Sequence, residues 1–234
     1  MDILAIILAI LSITLIILNH FTYRFGKKKG ANEFLDAILS GASKLRIEQF
    51  KIQNKYASKN GIVFLGDSIT QEYNVYEFYP GLQVYNRGIG GDTTVGLLKR
   101  LDVSVFDLRP KVVVLLIGTN DLALLQTQIT DIYERITNII QTIQSQLKDT
   151  QIILQSVYPV IEPAKMAKSD QRTNENISAL NKLISGIKDV VYIDMHKHLL
   201  KDGKLNAKYT RDGLHMNDTG YEVITNILKP YLKK

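Results

Sequence analysis

Six apolar residues in a row, Val112 to Ile117, run directly into Gly118-Thr119-Asn120-Asp121. A strand that is apolar at every position has no face to give to water. It must be covered on both sides, which points to a parallel sheet between layers of helices. This is the most apolar strand pattern in the chain and is expected at the centre of the sheet. A second run, Ile62-Val63-Phe64-Leu65, delivers Gly66-Asp67-Ser68 to the same edge. In open α/β sheets ligands bind outside the carboxyl ends of the strands. Gly66 permits a tight exit, and a helix starting just after Ser68 would aim backbone N–H groups at negative charge developing beside it. A helix cap formed by Asp67 or Ser68 explains the same residues equally well when they are taken alone.

The rest of the chain repeats the pattern. A helical stretch from Ser68 to Tyr79 leads through Pro80-Gly81 into a short strand, Gln83 to Asn86. Its exit, Arg87-Gly88-Ile89-Gly90-Gly91-Asp92-Thr93-Thr94, is a loop whose backbone can approach a ligand closely. The first two glycines of a dinucleotide fingerprint are matched by Gly88 and Gly90, but Thr93 stands at the third position, so that reading fails. A helix over Val95 to Leu108 ends at Arg109-Pro110. Helix 126–148, strand 151–157, helix 170–186, strand 190–194 and helix 218–228 follow. This alternation predicts a three-layer α/β/α sandwich on a five-stranded parallel, flavodoxin-like sheet with right-handed crossovers. The longer segment Tyr158 to Ser169, with Pro159 and Pro163, falls at the same edge and is expected to border a substrate pocket.

The amino terminus is different in kind. Ile3 to Leu18 is almost wholly aliphatic, and continued through Phe21 and Tyr23 it reaches the length of about 20 residues that a bilayer requires. The expectation is an N-terminal transmembrane helix, giving a single-pass membrane protein. Arg24, Lys27, Lys28 and Lys29 follow at once and favour a cytoplasmic carboxyl-terminal domain, with the outward-facing arrangement left open. From Ala31 to about Tyr56, the residues Phe34, Ile38, Leu45, Ile52 and Tyr56 recur at mostly helical spacing. Packing on the domain is the expected use of this amphipathic helix, because Gly41 and the imperfect period speak against its alternative, a homodimer. The domain plan is therefore 1–29 as anchor with basic flank, 30–60 as linker helix, and 61–234 as the catalytic domain. A chain of 234 residues with 45% hydrophobic content has room for one such domain plus an appendage. The net charge of +6 comes from scattered lysines, apart from that basic flank, so no nucleic-acid partner is expected. Cysteine is absent, which excludes disulfides, thiolate metal sites and a cysteine nucleophile.

Chemistry needs more than one serine. The last loop, Thr210-Arg211-Asp212-Gly213-Leu214-His215, places a carboxylate three residues before an imidazole. In that arrangement the carboxylate takes one ring N–H and leaves the other nitrogen to act as a base. A metal pair is the competing reading, although zinc would require further ligands. His196 and His198 are read as the start of a solvated loop. Asn120 either caps the helix after its strand or points its amide into a site shared with Ser68.

Taken together, Gly-Asp-Ser at 66–68, Gly-Gly-Asp at 90–92, Gly-Thr-Asn-Asp at 118–121 and Asp-x-x-His at 212–215 resemble the SGNH (GDSL-type) hydrolase superfamily. Within it they look most like the esterases related to platelet-activating-factor acetylhydrolase catalytic subunits. The resemblance covers Ile62 to the carboxyl terminus. It implies Ser68 as nucleophile, His215 as general base and Asp212 as its orienting acid. Ser68 N–H, Gly91 N–H and the Asn120 amide would form the oxyanion hole, with no metal or organic cofactor. Glycine at 91 is then expected because a Cβ would crowd that N–H. The common α/β-hydrolase plan does not fit, since Thr70 stands where its second glycine should be.

The leading expectation is a membrane-anchored serine esterase cleaving short acyl, chiefly acetyl, esters of a small molecule, lipid or glycan. Its alternatives are a catalytically silent membrane-anchored binding domain and an acyltransferase acting on a glycan acceptor.

Overall fold

The computed structural model describes residues 22–23, 37–125, 127–161 and 171–232. The chain divides into two compact units, Met1–Lys44 and Leu45–Lys234. Within the second unit five strands form one parallel sheet: β1 (Ile62–Gly66), β2 (Val84–Gly88), β3 (Val112–Leu116), β4 (Gln151–Gln155) and β5 (Val191–Ile193). Their order is β2-β1-β3-β4-β5, the flavodoxin-like order, with β3 at the centre. Every residue of β1 and β3 is buried, as their uninterrupted apolar sequences require.

Alternate residues of each strand feed two separate cores. Val63, Leu65, Val113, Leu115, Ile152 and Leu154 pack with α4 (Thr94–Leu98), α5 (Ile129–Gln146) and α6 (Asn174–Ile184). Ile62, Phe64, Val112, Val114 and Ile153 pack on the opposite face. There they meet Tyr73, Val75 and Tyr79 around α3 (Val75–Phe78), with α7 (Met195–Leu199) and α8 (Asp218–Leu228). A hairpin of β6 (Leu200–Lys201) and β7 (Lys204–Leu205) turns at Asp202 and Gly203, both at positive φ. That conformation suits a two-residue turn.

Three level strand ends matter for function. Gly66 pairs with Gly88 on one side and with Leu116 on the other, so the residues after β1, β2 and β3 emerge together. The strand order reverses at β1, which is where ligands bind in sheets of this kind.

Several expectations are corrected here. No helix among the described residues is long and apolar enough to cross a membrane, which overturns the transmembrane helix and the single-pass localisation and membrane partnership resting on it. A span needs about 20 consecutive apolar residues. α5 has 18 residues and carries Asp131, Glu134 and Arg135, and the equally long described helix 37–54 carries Lys44, Arg46, Glu48 and Lys51. The apolar run 3–18 itself lies outside the described residues, as do residues 162–170 of the segment expected to border the pocket. The helix before β1, α1 (37–54 as described), does not pack through its expected stripe: Ile38, Leu45, Ile52 and Tyr56 are all exposed. In the second unit it is Phe50, with Ile47, that joins Ile89 and Val103. Polar residues share that face, Arg46 Nε donating to the Gly88 carbonyl and Asn54 Nδ2 to that of Val103.

The stretch 68–79 is two short helices, α2 (Ser68–Gln71) and α3, and the helix expected over 95–108 is α4 followed by a π-helical turn at Asp102–Phe106. His196 and His198 lie on α7 rather than in a loop.

Candidate active site

The turn out of β1 is shaped by close approach. A Cβ on Gly66 would strike the Leu116 carbonyl and the Thr70 side chain, so only glycine lets the chain bend here. Asp67 then caps α2, its Oδ1 accepting from Ile69 N at 2.9 Å. Its Oδ2 has no hydrogen-bond partner among the described residues. Burial pushes this carboxyl up to about 7, against the pull of the Ile69 hydrogen bond and with Asp92 and Asp121 adding to the rise. Asp67 therefore does the capping and leaves Ser68, the first residue of α2, free to face outward.

Ser68 Oγ lies 2.9 Å from His215 Nε2, across 147 positions of sequence. His215 Nδ1 lies 2.6 Å from Asp212 Oδ2. The other carboxylate oxygen accepts from the backbone N–H groups of Leu214 at 2.9 Å and His215 at 2.8 Å. Burial alone would raise the Asp212 carboxyl, but the hydrogen bonds from the His215 ring and from these two amides outweigh it and hold the group down to about 2. An ionised carboxylate only accepts, so Nδ1 carries the ring hydrogen and Nε2 turns its lone pair to the Ser68 hydroxyl. The loop is fixed from behind by Thr210 Oγ1, which donates to the His215 carbonyl at 2.7 Å and accepts from Gly213 N at 2.9 Å.

Two contacts attach this loop region to the serine helix. Arg211 pairs with Glu72, just past the end of α2. Tyr221 on α8 donates to the Ile69 carbonyl at 2.8 Å and stacks on Tyr73 with ring centroids 4.7 Å apart.

The loops after β2 and β3 leave the sheet at the same edge as Ser68. Gly91 has φ +73, a conformation that side chains resist, so backbone shape by itself calls for glycine here. Asn120 is buried and already inside the helical turn that follows β3, so it does not cap it. Its Nδ2 donates one hydrogen to the Asp92 carbonyl at 2.9 Å. An amide NH₂ has a second hydrogen to give. Asp121 accepts from Thr94 N at 2.9 Å and from the Thr94 hydroxyl at 2.5 Å.

The structure thus joins Ser68, His215 and Asp212 in one hydrogen-bonded chain, and sets Gly91 and Asn120 at strand ends level with Gly66. Sequence reasoning missed Asp92, Arg100, Glu72 and Tyr221. For Arg100 a signal was present: it stands among Leu97, Leu101 and Ser104 at helical spacing, a charge on an otherwise inward-facing stripe.

Comparison with known proteins agrees with this geometry. Platelet-activating factor acetylhydrolase IB subunit alpha2 of Homo sapiens is 29% identical over 170 residues, which cover 70% of this chain and 72% of that protein. The alpha1 subunit of Rattus norvegicus is 26% identical over 178 residues, covering 73% and 74%. Among solved structures, a platelet activating factor from Streptococcus pneumonia superposes with a TM-score of 0.78 at 29% identity, covering 86% of this chain and 98% of that one. The lipase/acylhydrolase from Enterococcus faecalis superposes with a TM-score of 0.62 at 26% identity, covering 74% and 97%. The model of the GDSL-like Lipase/Acylhydrolase family matches residues 64–223. That span takes in both Ser68 and the Asp212–His215 loop, and the chain belongs to this family of enzymes that hydrolyse ester bonds.

Proposed function

We propose that this enzyme is a serine esterase in which Ser68 is the nucleophile, His215 the general base and Asp212 the group that orients the imidazole. The single observation that carries the reading is the unbroken hydrogen-bonded chain from Asp212 through His215 to Ser68 Oγ. A serine hydroxyl is a weak nucleophile near neutral pH. A base that takes its proton during attack contributes roughly 10²–10⁴-fold. As Ser68 Oγ bonds to the acyl carbon, its proton passes to His215 Nε2, and the imidazolium formed is stabilised by Asp212. His215 then returns the proton to the departing alkoxide. In the second half water takes the alcohol's place, and the carboxylic acid leaves.

The tetrahedral intermediate carries a negative oxygen for which Ser68 N–H, Gly91 N–H and the second Asn120 amide hydrogen are the assigned donors. Such donors act on charge that exists only in the transition state. Loss of one costs about 3–4 kcal/mol of activation energy.

The acyl group is assigned as short, with acetyl first. Two observations support this: relatives in two subunit classes are named acetylhydrolases, and the connections leaving β1 and β2 are short. The test is a panel of esters differing in acyl length and alcohol, run on wild type and Ser68→Ala. Hydrolysis of acetyl esters should be fastest and should vanish with Ser68→Ala. A Ser68→Ala protein hydrolysing at the wild-type rate would remove the proposal, and a preference for long acyl chains would remove the acetyl assignment alone.

A further inference from the structure

The guanidinium of Arg100 is almost wholly buried, with 2% of its side chain exposed, and three of its four N–H bonds go to groups of the site delivered by β1 and β2. Nε donates to Asp92 Oδ2 at 2.7 Å. Nη1 donates to the Arg87 carbonyl at the end of β2 at 2.9 Å and to Ser104 Oγ at 2.8 Å. Nη2 donates to the Gly66 carbonyl at the end of β1 at 2.9 Å, and the same carbonyl accepts from Ile89 N at 3.1 Å. Asp92 completes the connection, because its own carbonyl holds the Asn120 amide delivered by β3.

We infer that Arg100, acting through Asp92, is a positioning residue that sets the Ser68, Gly91 and Asn120 donors against a common point. The inference rests on the serine-esterase reading above. Asp92 directly follows Gly91, so moving its carboxylate moves the Gly91 peptide. Its carbonyl also decides which Asn120 hydrogen is consumed and which is left for the substrate. The Gly66 carbonyl sits two residues before Ser68, so the same guanidinium fixes the approach of the serine peptide.

Energetics favour this over a role in stability. Both groups are deeply buried: desolvation lowers the Arg100 pKa and raises that of Asp92, each opposed by the other's charge. Apolar residues of similar volume often serve stability as well as a buried ion pair or better. What apolar residues cannot do is hold three strand ends in fixed relative orientation. Preorganised donors are what the transition state requires. The helix just before Arg100, α4, is shaped to allow the pair, since a Cβ on Gly96 would run into Asp92 Oδ1.

The experiment compares full-length wild type, Arg100→Lys, Gly96→Ala, the apolar double variant Arg100→Met with Asp92→Leu, and Ser68→Ala. Active sites are titrated with a fluorophosphonate, kcat and KM for an acetyl ester are expressed per titrated site, and inhibition by a trifluoromethyl ketone is measured. For Arg100→Lys, kcat per site is expected to fall about 100-fold with KM held within about three-fold, and ketone affinity should fall in parallel. The double variant should melt near wild type and still lose kcat. A kcat per site within about two-fold of wild type, with only the melting temperature lowered, overturns the inference. If Arg100→Lys does not fold, Gly96→Ala decides between the same two outcomes. Failure of the parent reading looks different: Ser68→Ala would then keep both its hydrolysis and its fluorophosphonate labelling.

Discussion

The two sides of the site are built on opposite plans. The side formed by the ends of β1, β2 and β3 is buried and long-range: the side chains of Arg100 and Asp92 are 2% and 7% exposed. The side formed by the Asp212–His215 loop is local and open: those side chains are 46% and 21% exposed, and three residues apart. In the proposed mechanism, charge is met by fixed dipoles in the dry interior, and the proton is exchanged at a loop that water and substrate can reach. The division implies that leaving a buried polar group of the first side without its partner should appear in stability as well as rate, whereas truncation on the second side should appear chiefly in rate.

The largest effect that tests this division is on the open side. His215→Ala is expected to lower kcat/KM by about 10⁴-fold or more. Its unfolding free energy should change by about 1 kcal/mol or less, and a large loss in urea denaturation would break the division. On the buried side, Asp121→Ala leaves the Thr94 N–H and hydroxyl without their acceptor. A buried group so orphaned costs about 1–3 kcal/mol, again read from urea denaturation, and a neutral outcome would count equally against the division.

The pH dependence should run in opposite directions on the two sides. The folded protein holds a proton on Asp67 up to about 7 that the unfolded chain releases near 3.8. Wild type therefore loses stability as pH rises through that window, and Asp67→Asn should lack this decline when melting is followed against pH. Asp212 is held down to about 2 from 3.8, so its contribution is present above that range and fades as pH falls through it. The smallest effect is expected at the exposed Arg211–Glu72 pair: Glu72→Ala should cost less than about 1 kcal/mol, and high salt should reproduce most of the change in wild type.

Strands were the most legible part of the sequence. Val112 to Ile117 and Ile62 to Leu65 announce themselves because burial on both faces permits no polar residue, and the parallel order follows from the helices between them. The candidate site residues were legible for a related reason, since each stands in a short polar block at a strand end or helix start. Helix faces were harder. Leu45, Ile52 and Tyr56 suggest a packed stripe, yet the packed face carries Arg46 and Asn54, whose polar ends reach backbone carbonyls while Phe50 fills the core. Hydrophobic period cannot see a polar side chain whose partner is main chain. For the Arg100–Asp92 pair the helical period marks Arg100 as a charge on an inward-facing stripe but does not show its partners, which come from three strands. The apolar amino-terminal run was read by composition alone, and no described helix supports the span inferred from it.

The level ends of β1, β2 and β3 put all of the proposed chemistry on one rim of the sheet. The other rim, where β4 begins, carries the exposed turn at Lys148 and Asp149. A tether attached there, to a bead or a sensor surface, would hold the enzyme by its back and leave its working face turned toward the solution.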